Sequence, residues 1–131
     1  PEAASLCAQH ADDEQKSDLS DIARNYYELA CSYSGIESEQ IELTKLDNEF
    51  HQAISRYCGN SFLRMIIQIT EASSEELNMR NFYEKAAGAG EDKKQFASDH
   101  LKLAKAISKG DADSARKLME EHLTSIREAI S

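Results

Sequence analysis

The chain has 131 residues, enough for one domain with a hydrophobic core, and its 40% hydrophobic and 30% charged residues are ordinary for a globular protein. A formal net charge of -9 argues against a nucleic-acid-binding surface, because affinity for phosphates comes from lysine and arginine. No apolar run approaches the roughly 18 to 20 residues that cross a bilayer. Cys7, Cys31 and Cys58 contain no Cys-x-x-Cys pair and are odd in number, so a reduced, cytoplasmic protein is expected.

One proline, at position 1, and five glycines leave long stretches rich in Ala, Leu, Glu and Lys, which predicts an all-α fold of six helices, or seven. A chain that starts at Pro1 rather than Met is expected of a fragment or a processed product. The first helix covers about Glu2 to His10. The second starts near Ser17, followed by Asp18, and carries Leu19, Ile22, Ala23, Tyr26, Leu29, Ala30 and Tyr33 on one face until Gly35 stops it. A third runs from about Ser38 to Cys58 and ends at Gly59-Asn60.

Ser61 to about Ala87 forms a fourth helical region, and a break at Ala72-Ser73-Ser74 would make seven helices in all. Gly88-Ala89-Gly90 is the clearest loop. The fifth helix spans about Glu91 to Lys109 and stops at Gly110; the sixth is capped by Asp111 or Asp113 and runs to the chain end. No internal repeat or linker marks a second domain, so residues 1–131 read as one unit.

The third helix has an apolar stripe of Leu43, Leu46, Phe50, Ile54 and Tyr57, and Asp47 and His51 fall inside it, one turn apart. An unpaired carboxylate facing the core is costly, so Asp47 needs a positive partner. His100 shares the inner face of the fifth helix with Phe96, Leu103, Ala104 and Ile107. His122 lies in the stripe of Ala115, Leu118, Met119, Ile126 and Ile130 on the sixth. Three helices thus each turn a ligand-type side chain inward.

Three imidazoles and one carboxylate suit a single divalent metal ion, zinc first, with nickel, iron and manganese also compatible. The set leaves about one positive charge on the ion and room for a further ligand, so a small organic acid fits as an effector. A lone inward histidine is more often a hydrogen-bonded core residue, and Asp47 with His51 alone would read as a buried ion pair; His100 and His122 on separate helices tip the reading towards metal. Cys7 and His10 make half of a zinc motif without its other half. The tyrosines Tyr26, Tyr27 and Tyr33 are simplest as packing residues, and Asp12-Asp13-Glu14 as solvated surface.

A metal-dependent hydrolase-like enzyme is the main competing reading, because three histidines with an open position also describe catalytic zinc. It needs a base beside the metal, and Glu49 and Glu121 lie on different helical faces from the neighbouring ligands. No His-Glu-x-x-His motif occurs, and Ala97 and Met119 stand where paired Glu-x-x-His motifs would need glutamate. The chain is therefore read as no enzyme. A helical bundle with a purely structural metal is the third reading.

The run Leu46-Asp47-Asn48-Glu49-Phe50-His51-Gln52-Ala53-Ile54, followed by Gly59-Asn60, resembles the ligand-binding domain of GntR-type bacterial transcription regulators of the FadR subfamily. Asp99-His100, Ala106-Ile107, Gly110-Asp111-Ala112 and Glu121-His122-Leu123 continue that pattern in order, so the resemblance covers nearly the whole chain. It implies an antiparallel helical bundle, homodimerisation, small carboxylic acids as effectors, and a metal held by the positions that here are Asp47, His51, His100 and His122. Asn60 and Arg80 are candidates for contacting the acid. The resemblance also implies an N-terminal winged-helix DNA-binding domain, and residues 1–13 form none. DNA contact is thus expected only through that domain.

Overall fold

The computed structural model describes residues 1–66 and 90–130, with side chains described except in 90–93 and 125–130. It is all-α, with no strand among the described residues. The helices are α1 (Glu2–His10), α2 (Asp13–Cys31), α3 (Glu37–Tyr57), α4 (described over 61–66), α5 (Gly90–Ser108) and α6 (Ala112–Ile130). The expected break at Ala72-Ser73-Ser74, the loop before Gly90 and Arg80 lie outside the described residues. Among those residues no helix is long and apolar enough to cross a membrane.

Local chemistry moves two boundaries of α2. It begins at Asp13 rather than near Ser17, because Asp12 and Gln15 form a reciprocal cap: Gln15 N–H donates to Asp12 Oδ1 at 2.8 Å and Asp12 N–H to Gln15 Oε1 at 3.0 Å. It ends at Cys31, before Gly35, where the Ser32 hydroxyl donates to the Leu29 carbonyl at 3.2 Å. Tyr33, expected on the α2 stripe, lies beyond that end and packs half-buried against the core.

The turn between α5 and α6 fixes how two of the candidate ligand-bearing helices meet. Gly110, at φ 71°, lets its N–H reach the Ile107 carbonyl and the Asp111 N–H reach the Ala106 carbonyl, both at 3.0 Å. Asp111 then caps α6 by accepting from Ser114 N–H at 3.1 Å, which decides between the two expected caps. With so short a connection, packed α5 and α6 run antiparallel, as do α2 and α3. Among the described residues the most extensive packing is α2 on α5, followed by α1 on α6 and α2 on α3.

The buried apolar side chains fall into two clusters at successive levels of the bundle. One joins α1 to Leu19, Phe50, Ile54, Leu103, Ile107 and Met119 among others. The second holds Tyr26, Ala30, Leu43, Leu46, Phe96 and Ala97. Full burial of a Leu, Ile or Phe side chain contributes roughly 1.5–3 kcal/mol, so either cluster outweighs any surface ion pair. Along both α3 and α5, the candidate ligands sit at the boundary between these clusters.

Gly35 and Gly59 both have positive φ, 87° and 77°, but differ in surroundings. A Cβ on Gly35 meets nothing within 4 Å, whereas one on Gly59 stands 3.1 Å from the His10 Cβ. Gly35→Ala is expected to cost about 1–2 kcal/mol from backbone strain alone. Gly59→Ala should cost more, because the α1 and α3 ends must also separate; urea denaturation of the two variants reads the difference.

Candidate metal centre

Asp47 and His51 are one turn apart on α3, His100 is on α5 and His122 is on α6. One ligand-type atom from each lies within 4.8 Å of those from the other three. The side chains of Asp47, His100 and His122 are at most 4% exposed, whereas His51 is 15% exposed, so the cluster is least shielded at His51.

The shortest contact is between His100 Nε2 and Asp47 Oδ1, at 2.5 Å. On its other side the His100 ring places Nδ1 2.7 Å from the Phe96 carbonyl oxygen. A carbonyl only accepts, so Nδ1 carries the hydrogen and a neutral ring leaves a lone pair on Nε2. A lone pair facing a carboxylate oxygen is repulsive, so a positive charge, proton or metal ion, belongs between them. His51 Nε2 lies 3.4 Å from the same Asp47 oxygen. The second Asp47 oxygen, Oδ2, and both nitrogens of His122 are buried without a hydrogen-bond partner.

Those orphaned atoms test whether the site fits a cation. A neutral imidazole donates from one nitrogen and offers a lone pair on the other, and native interiors rarely leave both idle. A divalent ion would use the His122 lone pair and the free Asp47 oxygen together. Donors at 2.0–2.2 Å from one ion stand about 3.3–3.6 Å apart in a tetrahedron and at most about 4.4 Å apart when opposed, so the widest-spaced donors would close by between a few tenths of an ångström and about 1 Å. The cluster can hold a metal ion.

Electrostatics agree with that chemistry. Burial alone would raise the Asp47 carboxyl, but His51 and the hydrogen bonds with His100 and His51 outweigh it and hold Asp47 well below the usual carboxylate range. Burial lowers His122 to about 4, an effect that nearby Asp99 only partly opposes, so its ring is neutral near pH 7 and able to ligate.

Other expected residues have different neighbours. Asn60 is exposed, and its Oδ1 accepts from Leu63 N–H at 2.9 Å, which makes it the N-cap of α4. Cys7 is buried, its thiol pushed up to about 12 by desolvation, so it is no thiolate ligand; His10 packs on Gly59 instead. Sequence reasoning missed three supporting groups. Asp99 Oδ2 lies 3.8 Å from His122 Nδ1, within ion-pair reach but beyond a hydrogen bond. The Phe96 carbonyl fixes the His100 tautomer. Tyr26, read as packing alone, lays its ring 4.6 Å from that of His100. Only the i to i+4 step from Phe96 to His100 was visible beforehand.

The family model described as FCD domain matches residues 1–125. No curated protein and no solved structure matches the chain.

His122 generates a pH prediction for the metal-free protein. Its folded-state value of about 4 lies below the ordinary 6.5, so on acidification the unfolded chain takes up that proton first. Stability is unaffected by His122 above about pH 6.5 and falls as pH drops towards 4, by up to about 3 kcal/mol at 1.36 kcal/mol per unit. Denaturant titrations at pH 7 and pH 4 should show that loss relative to His122→Leu. An equal pH dependence in the two proteins would contradict the burial of a neutral ring.

Proposed function

The chain belongs to the FCD domain family, and on that premise we propose that it is the metal-dependent organic-acid sensing and dimerisation domain of a DNA-binding transcription regulator. The observation that carries the reading is the convergence of four donors on a largely buried point, with a carboxylate oxygen and both nitrogens of His122 left without hydrogen bonds.

Asp47, His51, His100 and His122 would hold one divalent ion, zinc first on donor chemistry, with nickel, iron or manganese as alternatives. When bound, the ion supplies a Lewis-acidic position that a carboxylate oxygen can occupy. The protein's own groups do the rest. The Phe96 carbonyl orients His100, Asp99 stands behind His122, and the rings of Tyr26 and Phe50, 4.6 and 4.8 Å from the His100 ring, keep water from that side. An acid entering from the His51 side would bridge ligands on three helices. It would shift the domain only by preferring one arrangement of those helices, and DNA contact would fall to a winged-helix domain outside this chain, in a homodimer.

The metalloenzyme reading needs a base at the cluster. Among the described residues, neither Glu49 nor Glu121 joins the group of converging donors. That supports sensing over hydrolysis.

Metal analysis of the purified protein after zinc or nickel loading is expected to give one ion per chain, with proton release on uptake. Asp47→Ala should abolish stoichiometric uptake, and Asp99→Asn should weaken it by about 10–100-fold. Thermal-shift screening of small carboxylates should raise Tm only for the metal-loaded protein. Stoichiometry well below one under loading, or equal shifts with and without metal, would count against the proposal.

A further inference from the structure

Two more buried polar atoms on α3 lack hydrogen bonds, Asn48 Oδ1 and Ser55 Oγ. Neither belongs to the donor cluster, and packing does not explain them. A serine hydroxyl inside a helix ordinarily donates to the carbonyl one turn back. Thr44 on the same helix does so, donating to the Gln40 carbonyl at 3.0 Å. Ser55, only 2% exposed, takes no such bond. An unsatisfied buried polar group costs about 1–3 kcal/mol, so an orphan in the core usually marks a group kept for something else.

Their placement points to what that is. At 100° per residue, positions 48, 51 and 55 fall within about 60° of each other on the helix surface, spanning about 10 Å of its length. Asn48 lies one turn before His51 and Ser55 one turn after it. His51 is the most exposed of the four ligand-type residues. The two orphans therefore flank the side from which a molecule could approach the metal.

We infer that Asn48 and Ser55 are specificity-determining residues of the effector site, selecting a hydroxy-carboxylic acid over a plain carboxylic acid. This rests on the sensing reading above. The carboxylate of the ligand occupies the open metal position, and hydroxyls further along the molecule donate to Asn48 Oδ1 and exchange a hydrogen bond with Ser55 Oγ. A plain acid leaves both atoms as unsatisfied as they are without ligand. Discrimination is strongest where a site has buried polar groups that the wrong ligand cannot pair.

Calorimetry on the metal-loaded protein with matched probes tests this: malate against succinate, and gluconate against hexanoate. The unsubstituted protein is expected to prefer at least one hydroxylated partner by about five- to tenfold, the worth of one hydrogen bond. In Ser55→Ala and Asn48→Leu that ratio should fall towards one, with metal stoichiometry unchanged. Without ligand, Ser55→Ala should be as stable as the parent or more so, because it removes an unpaired hydroxyl. Equal affinity for both members of each pair, or a preference that survives in both variants, overturns the assignment while leaving the sensor intact. A destabilised Ser55→Ala that keeps the preference makes Ser55 structural and likewise overturns its role. Metal-loaded protein that binds none of the four acids overturns the organic-acid reading itself, and this one with it.

Discussion

Asp47 and His100 meet at 2.5 Å between two hydrophobic clusters, and with the Phe96 carbonyl holding the other side of the ring, a positive charge is needed between them. That requirement places the helices. Asp47 must be on the inner stripe of α3 with Phe50, His100 on that of α5, and α2 must close over both so that Tyr26 adds to the shield of Phe50. The apolar clusters on either side supply folding free energy that offsets the cost of burying the polar layer between them. A divalent ion would meet that need for His51 and His122 as well.

The site is built on helices rather than loops, which gives it precision. At the α5–α6 turn Gly110 and Asp111 lock the last turn of one helix to the first of the next. Any molecule that tightens or loosens the four-donor cluster therefore acts on α3, α5 and α6 together. The asymmetry of the cluster sets the direction of access. His100 and His122 are sealed by aromatic rings and Asp99, whereas His51 is partly open and flanked along α3 by the unpaired atoms of Asn48 and Ser55. A net charge of -9 over the whole chain disfavours the approach of phosphate polymers.

Much of this was legible beforehand, for reasons particular to single residues. Asp47 stood inside an apolar stripe where a carboxylate has no cheap state, and His51 stood one turn away. His100 and His122 occupied core positions on their own helices. The α2 start was misread because Ser17 is a good cap in isolation, yet the reciprocal pairing of Asp12 with Gln15 satisfies two backbone donors and wins. Asn60 drew attention through its place in a family pattern, and its side chain turned out to cap α4.

The sequence alone indicated an all-α chain, the inward faces of the described helices and the four side chains that converge, because a 3.6-residue period and the cost of burying charge are local and can be counted along the chain. Tertiary structure decided what no period contains: that α3, α5 and α6 dock at a height where the four donors coincide, that the Phe96 carbonyl and Asp99 stand behind two of them, and that Asn48 and Ser55 are left unpaired beside His51. Helix registers are set by how side chains of different helices interlock. Which polar atoms lack partners is therefore known only once every neighbour is in place.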